Sequence, residues 1–423
     1  FDNGLISAHF PDPPAYEALA HWPLLAHAAP RRVLIMGGAA TGTLAELLKH
    51  PVERIDYVEL DPAFIRMVRP VLSSADRAAL DDARVRLLHV DGRRWLSTTA
   101  QTYDVILLNL PEPRNAQVNR LYTLEAFRLV RRHLAPQGLF AFTVPSSENY
   151  LSPETAFFNA SLYQTLRAVF PSVDLVAGDP LLLLAGADEV ALDPAALAAR
   201  CAQRGLVTRE IVPPAFPILL DAARRAETVD HLSSIRLSTL NRDFIPVCYA
   251  YAWRVWISKF VSPLYFLGTL LGIALLLVGA GLLWRRRALL TSRPGASAVF
   301  ALGAAGMAYE TILLLAFQSI HGYLYWQLGS LFAAFMLGLA LGSWGASHRL
   351  PTMSTSTAFH WVRRLLAAAA LEGIALMVFL PVAQHLSLRV PAALLFGAWL
   401  FLTGVWLGGA FPLAGRLAPT SDS

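Results

Sequence analysis

From Ser262 to Trp284 the chain runs 23 residues without a charge and then meets Arg285-Arg286-Arg287. At a rise of about 1.5 Å per residue, such a run is long enough to cross a hydrocarbon core, and the arginines mark where it stops. Four further apolar runs follow, at about 296–318, 326–347, 364–386 and 391–415, so the sequence predicts an all-α multi-pass transmembrane domain over 262–423. Tyr249, Tyr251, Trp253 and Trp256 precede the first run and predict an aromatic interfacial linker over 246–261. Gly268/Gly272, Gly338/Gly342 and Gly404/Gly408 repeat small residues at the spacing that lets helix backbones approach closely. Glu310 and Glu372 sit inside apolar runs, where each calls for a partner or a cavity. For Glu310 a structural hydrogen bond and a transport or proton-relay role are both open.

Composition separates the two halves further. With 55% hydrophobic and 15% charged residues, the chain is not disordered, a coiled coil or a disulfide scaffold. Residues 260–423 hold nine Arg against Glu310, Glu372 and Asp422, so the net charge of +5 belongs to the membrane part. There it reads as topology, and a nucleic-acid partner is discounted. Cys201 and Cys248 stand far apart with no His or Cys at metal spacing, so no metal site is expected. The chain opens on Phe1 and stops eight residues past an apolar run, which predicts a fragment of a longer protein.

The first half carries the chemistry. Arg32 to Met36 predicts a buried strand, Gly37 to Gly42 a tight turn, Thr43 to His50 a helix stopped by Pro51, and Arg54 to Leu60 a second strand. This βαβ unit puts glycines where a backbone must approach a ligand, and Glu59 where a carboxylate accepts hydrogen bonds from ribose hydroxyls. Val85 to Val90, ending at Asp91-Gly92, and Tyr103 to Leu108, ending at Asn109, put more polar groups at strand ends. Residues 174–245 predict an extension of the sheet, with Leu181 to Ala185 a strand and 194–204 a helix. Phe127, Leu129, Val130 and Leu134 form a helical apolar stripe, read as core. His50, His89 and His231 lack acid and nucleophile partners at readable spacing and are expected to be structural or surface groups. No hydrolase elbow, P-loop or EF-hand is present.

Residues 3–145 resemble the polyamine aminopropyltransferases, the spermidine synthase family. The resemblance rests on Tyr16-Glu17, His21-Trp22-Pro23, Val33 to Gly38, Leu48 to Pro51, Val58 to Pro62, Val90-Asp91-Gly92, Tyr103 to Ile106 and Leu121-Tyr122-Thr123. With Asn119-Arg120, Asn241-Arg242-Asp243 and Phe335 to Leu339, the layout is similar to bacterial membrane-embedded spermidine synthase-like proteins. The resemblance implies an α/β Rossmann-like, S-adenosylmethionine methyltransferase-like domain over 1–245. It implies a nucleoside site at Gly37, Gly38, Gly42, Glu59, Asp91 and Gly92, substrate contacts at Tyr16 and Tyr122, and decarboxylated S-adenosylmethionine or S-adenosylmethionine as co-substrate, without a metal.

The amine half departs from the family. Ala40 replaces an Asp of the glycine turn, and the Asp that opens the family's Asp-x-x-Asp-Pro motif is Asn109 in Asn109-Leu110-Pro111-Glu112-Pro113. An amide cannot accept the proton of an attacking amine, so Glu112 is left as the candidate catalytic base beside Asn109. The Gln expected near the N-terminus falls at Ser7, and a family Tyr falls at Ala15. Three functions compete: aminopropyl transfer to a polyamine, S-adenosylmethionine-dependent methyl transfer, and a non-catalytic nucleoside-binding module coupled to a membrane transporter. The partners implied are a lipid bilayer and a small-molecule amine or other acceptor, with homo-oligomerisation left open.

The resemblance places the chain in a bacterial inner membrane. The loop 285–295 holds four Arg and 348–364 three, whereas 321–325 holds none and 387–390 only Arg389. Positive loops stay in the cytoplasm, so residues 1–259 are expected outside it, against the cytosolic origin of an adenosylated co-substrate.

Overall fold

The computed structural model describes residues 13–113, 115–147, 152–237, 239–251, 294–321, 325–383 and 392–417, with isolated positions among 268–275. The chain divides into two compact units, Phe1–Lys259 and Phe260–Ser423. Ser7, the side chain of Ala15, Trp253, Trp256 and most of the run 262–284 lie outside the described residues.

In the first unit, helix α1 (Pro13–Ala26) leads into β1 (Arg32–Met36), α2 (Thr43–Leu47), β2 (Arg54–Val58), α3 (Pro62–Val68), α4 (Ser74–Leu80) and β3 (Val85–Leu88). Then come α5 (Gly92–Thr98), β4 (Tyr103–Leu108), α6 (Ala116–Asn119), α7 (Leu124–Arg132), β5 (Leu134–Val144) and α8 (Pro153–Arg167). Strands β6 (Ser172–Val176) and β7 (Leu181–Gly186) and helices α9 (Pro194–Gln203), α10 (Phe216–Leu219) and α11 (Ala222–Ser234) complete it.

One seven-stranded sheet runs β3-β2-β1-β4-β5-β7-β6. The pairs from β3 to β5 are parallel, and β7 is antiparallel to both neighbours. Alternate residues of a strand face opposite sides, so Val33 and Ile35 enter one core with Ile55, Tyr57, Val105 and Leu107. Leu34 and Met36 enter the other, with Val58, Ile106, Phe140 and Phe142. A parallel sheet covered on both faces explains the near-continuous apolar runs of β1 and β4. The α/β Rossmann-like expectation holds, and the strand order reverses between β1 and β4, the crevice where such sheets bind ligands.

Four local expectations are corrected. Helix α2 ends at Leu47, not His50: Leu48 caps it, and the backbone turns through His50 so that the His50 ring points inward. Strand β2 ends at Val58 and β3 at Leu88, freeing Glu59 and the 89–91 segment as connections. Leu134 belongs to β5 rather than to a helical stripe; it is buried with Phe127 and Val130, which do lie on α7.

The second unit is helical: α12 (Pro294–His321), α13 (Tyr325–Arg349), α14 (Thr355–Ala383) and α15 (Ala392–Gly415). Among the described residues three helices are long and apolar enough to cross a membrane, at Gly295–Gln318, Gln327–Thr352 and Ala393–Gly415. The run expected at 364–386 falls on α14, and the loop at 387–390 lies outside the described residues. Gly338 and Gly342 of α13 meet the backbone of Phe401 and Val405, while Gly404 and Gly408 of α15 meet that of Phe335 and Leu339. At these two pairs the glycine spacing serves backbone-to-backbone packing, whereas among the described residues nothing lies within 4 Å of a Cβ placed on Gly268 or Gly272.

Candidate functional site

The first four parallel strands deliver one polar segment each to the same edge of the sheet: Gly37-Gly38 after β1, Glu59 after β2, Asp91 after β3 and Asn109 after β4. Gly37 and Gly38 have φ of +80° and +52°, a conformation in which a Cβ strains the backbone. Crowding reinforces the requirement, since a Cβ on Gly38 would stand 2.9 Å from the Asn109 carbonyl oxygen. The glycines thus admit the β4 loop as well as exposing their own backbone. Further along the turn, the Tyr16 ring lies over Gly42, where a Cβ would come within 2.6 Å of it.

Glu59 is partly exposed. Its Oε2 accepts from the Tyr57 hydroxyl at 3.1 Å and its Oε1 from the Asp61 amide at 3.4 Å. Burial pushes its carboxyl above the usual range, opposed by these donors and by the Gly38 amide. Asp91 caps α5, its Oδ1 accepting from the Arg94 amide at 2.9 Å, and Gly92 is the buried first residue of that helix. The other oxygen, Oδ2, accepts from Arg120 Nη1 at 2.5 Å, with the Arg120 side chain 2% exposed.

The loop after β4 carries the catalytic candidates. Asn109 donates from its amide nitrogen to Thr43 Oγ1 at 3.2 Å, and its backbone amide bonds to the Met36 carbonyl at 2.9 Å. Tyr122 is buried edge-on to Phe142, and its hydroxyl lies 3.3 Å from the carbonyls of both Leu110 and Pro111. Burial raises the Tyr122 hydroxyl, with Cys248 and then the Glu112 charge adding to it, and burial followed by the Glu112 charge raises the Cys248 thiol. Tyr122 therefore braces the loop that carries Glu112. On the opposite side, burial raises the Tyr16 hydroxyl and the nearby Arg209 charge eases it. Among the described residues no group of three His, Cys, Asp or Glu side chains is placed to hold a metal ion.

Sequence reasoning missed the clamp behind this loop. Asn241 donates to Asn119 Oδ1 at 3.0 Å and to the Tyr122 carbonyl at 2.9 Å, and its own backbone carbonyl accepts from the Leu124 amide. Asp243 takes Arg93 bidentately at 2.8 and 2.6 Å and the Thr123 hydroxyl at 2.7 Å, while Arg93 also donates to the Arg120 carbonyl. Residues 119–123 are thus fixed from behind while Arg120 and Tyr122 reach forward to Asp91 and the β4 loop. The signal was present in the two Asn-Arg pairs at 119–120 and 241–242, but nothing in a sequence shows that they meet.

A second buried chain runs along α1. Arg204 donates to His50 Nδ1 at 3.1 Å, so His50 Nε2 carries the hydrogen shared with His21 Nδ1 at 2.8 Å, and His21 Nε2 donates to Glu46 at 2.9 Å. The expectation of a structural His50 holds, with His21 as its unanticipated partner. His89 lies near the Glu59 carbonyl and His231 is exposed.

Residues 14–177 match the spermine/spermidine synthase domain. The polyamine aminopropyltransferase 2 of Hyperthermus butylicus is 34% identical over 190 residues, covering 44% of this chain and 61% of its own length. The polyamine aminopropyltransferase of Nitrosomonas europaea is 33% identical over 201 residues, covering 45% and 60%. The chain thus spans about three fifths of each of these curated relatives. The crystal structure of spermidine synthase from Thermotoga maritima is 21% identical, with a TM-score of 0.41 over 52% of this chain and 74% of that one.

Proposed function

We propose that the spermine/spermidine synthase domain at residues 14–177 of this chain binds an adenosyl sulfonium or thioether at the carboxyl ends of β1 to β4 and transfers an aminopropyl group from it to an amine. The observation that carries the reading is the convergence of Gly37-Gly38, Glu59, Asp91 and the 109–112 loop on one edge of a parallel sheet, at its switch point. The donor set suits the ligand: Glu59 is an acceptor for ribose hydroxyls, and the glycine turn offers backbone without side chains. Decarboxylated S-adenosylmethionine supplies a propyl carbon made electrophilic by its sulfonium. The amine attacks that carbon, the carbon–sulfur bond breaks, and methylthioadenosine leaves with the electron pair.

The attacking nitrogen must lose a proton, and Glu112 is the carboxylate on the loop that can take it. Tyr122 holds that loop at the Leu110 and Pro111 carbonyls, so Glu112 approaches the substrate on a braced backbone. A positioned general base contributes about 10²- to 10⁴-fold. A second reading, methyl transfer from S-adenosylmethionine, is favoured by Asn109, an amide committed to Thr43 and unable to act as base. The three helices long and apolar enough to span a membrane support anchoring of the enzyme to a bilayer.

The test is turnover of the full chain with putrescine and decarboxylated S-adenosylmethionine, followed as methylthioadenosine. Product that falls about 10²-fold or more in Glu112→Gln supports aminopropyl transfer. Binding of adenosyl ligands without product, or product indifferent to Glu112→Gln, rejects it and leaves methyl transfer or binding alone.

A further inference from the structure

The helical unit holds a carboxylate that, among the described residues, is met by neutral hydrogen-bond donors. Glu372 lies on α14, and three donors reach it from one face of α15. Trp399 Nε1 bonds to Oε1 at 2.8 Å, the Thr403 hydroxyl bonds to the same oxygen, and Trp406 Nε1 bonds to Oε2 at 2.6 Å. The spacing of four and then three residues along α15 puts all three on that face. Among the described residues no ion pair reaches Glu372. On α12, which packs against α14, Tyr309 gives its hydroxyl to the Ala369 carbonyl at 2.8 Å and Glu310 is buried. Helix α15 has no titratable residue between Ala392 and Gly415, and α13 has none between Trp326 and Ser347. On α14 itself His360, Arg363 and Arg364 lie toward the N-terminus, the nearest about 12 Å away along the axis.

The hydrogens can be counted. Thr403 has one, and its oxygen has two neighbours able to accept it, Glu372 Oε1 and the Trp399 carbonyl at 3.1 Å. With Glu372 ionised, the Thr403 hydrogen points to Oε1. With Glu372 protonated on Oε1, the acid donates to Thr403 Oγ1, and the hydroxyl turns its own hydrogen onto the Trp399 carbonyl. Both indoles donate to the carboxyl in either state. Neither form leaves a donor or acceptor without a partner, and the two interconvert by one hydroxyl rotation. Glu310 has no such cradle, for its Oε1 is buried without a hydrogen-bond partner among the described residues.

We propose that Glu372 is a reversible proton-binding site of the helical unit, loaded and unloaded through the hydroxyl rotation of Thr403. The proton is exchanged with water, and only the Thr403 hydroxyl has to rotate between its two acceptors. Ionisable groups within apolar helices are costly, and a cradle that suits both charge states is what proton exchange requires. The inference does not depend on the adenosyl site.

Infrared difference spectra of the full chain in lipid nanodiscs, recorded across pH, test it. Among the bands of all the carboxylates, the expected result is a titrating carboxylic-acid carbonyl band that is lost in Glu372→Gln and kept in Glu310→Gln. Thr403→Val should move the frequency of that band, because the protonated acid loses the hydroxyl oxygen that accepts its hydrogen. Thr403→Ser should return it. A band unaffected by Glu372→Gln, or at the same frequency in Thr403→Val as in the parent, overturns the proposal. The threonine pair keeps the test decisive if the glutamine variant does not assemble.

Discussion

Arg120 donates to Asp91 at 2.5 Å, so the carboxylate at the end of β3 has one oxygen on a buried guanidinium and the other on the Arg94 amide that begins α5. Asp91 is therefore a structural acid as well as a candidate ligand contact, and its position is set by whatever fixes Arg120. That is the clamp behind it: Arg93 holds the Arg120 carbonyl, and Asp243 holds Arg93 through both of its oxygens.

Asp243→Asn is expected to loosen residues 119–123 and with them the site. The Asp243 side chain is 1% exposed and Arg93 14%, so the change strands a buried guanidinium, which costs about 3 kcal/mol or more. Denaturant unfolding should show that loss, and calorimetry with methylthioadenosine should show weaker binding. Full affinity in a destabilised but folded Asp243→Asn protein would show that the clamp does not position the site.

Glu59 sets opposite signs for binding and stability. Its folded-state carboxyl is raised by burial, so ionisation costs the folded chain something at neutral pH, while ribose hydroxyls need the ionised acceptor. Adenosyl binding should therefore fade as pH falls through that raised value, above the point at which an ordinary glutamate protonates. Glu59→Gln should abolish the pH dependence together with most of the affinity, and leave the ligand-free protein at least as stable. A destabilised ligand-free Glu59→Gln would contradict the assignment.

Strands β1 and β4 were legible because buried strands of this kind carry apolar runs, closed here by Gly37 and Asn109, and β2 because its Ile55, Tyr57 and Val58 surround a single acid before Glu59. Strand β5 was not, since Pro136, Gln137 at φ +60° and Gly138 interrupt its pattern, and Leu134 continues the spacing of α7 instead. The site followed the same division. Residues at the ends of local strands could be named, whereas the Arg93–Asp243 pair joins groups 150 positions apart and has no local signature. His50 shows the intermediate case: its isolation in sequence was real, and its partner His21 comes from α1, 29 positions away.

The His21–His50 chain predicts acid sensitivity. Burial, then the charges around it, lower His50 from the ordinary 6.5 to about 2, so below 6.5 the unfolded chain binds a proton that the folded chain refuses. The sign follows directly: stability is intact above about 6.5 and falls with pH toward 2, by about 1.4 kcal/mol per unit for this group. Gln at position 50 can accept from Arg204 and donate to His21. Thermal unfolding between pH 4 and 7 should show a shallower acid slope in His50→Gln, and an unchanged slope would mean that other groups carry the dependence.

Sidedness decides which substrates can reach the first unit. The loops 285–295 and 348–364 hold seven of the arginines that follow the first apolar run, against none in 321–325, so the charge rule puts those two loops in the cytoplasm and residues 1–259 outside. Cys201 and Cys248 are both buried, so background labelling is expected to be low. A cysteine at Gly322 should react with a membrane-impermeant maleimide added to intact cells, and one at Ser292 should react only after the membrane is opened. Reaction at Ser292 alone would put the first unit in the cytosol. Decarboxylated S-adenosylmethionine made there would then be directly available to Glu59 and Glu112, and the case for aminopropyl transfer over a binding role would strengthen accordingly.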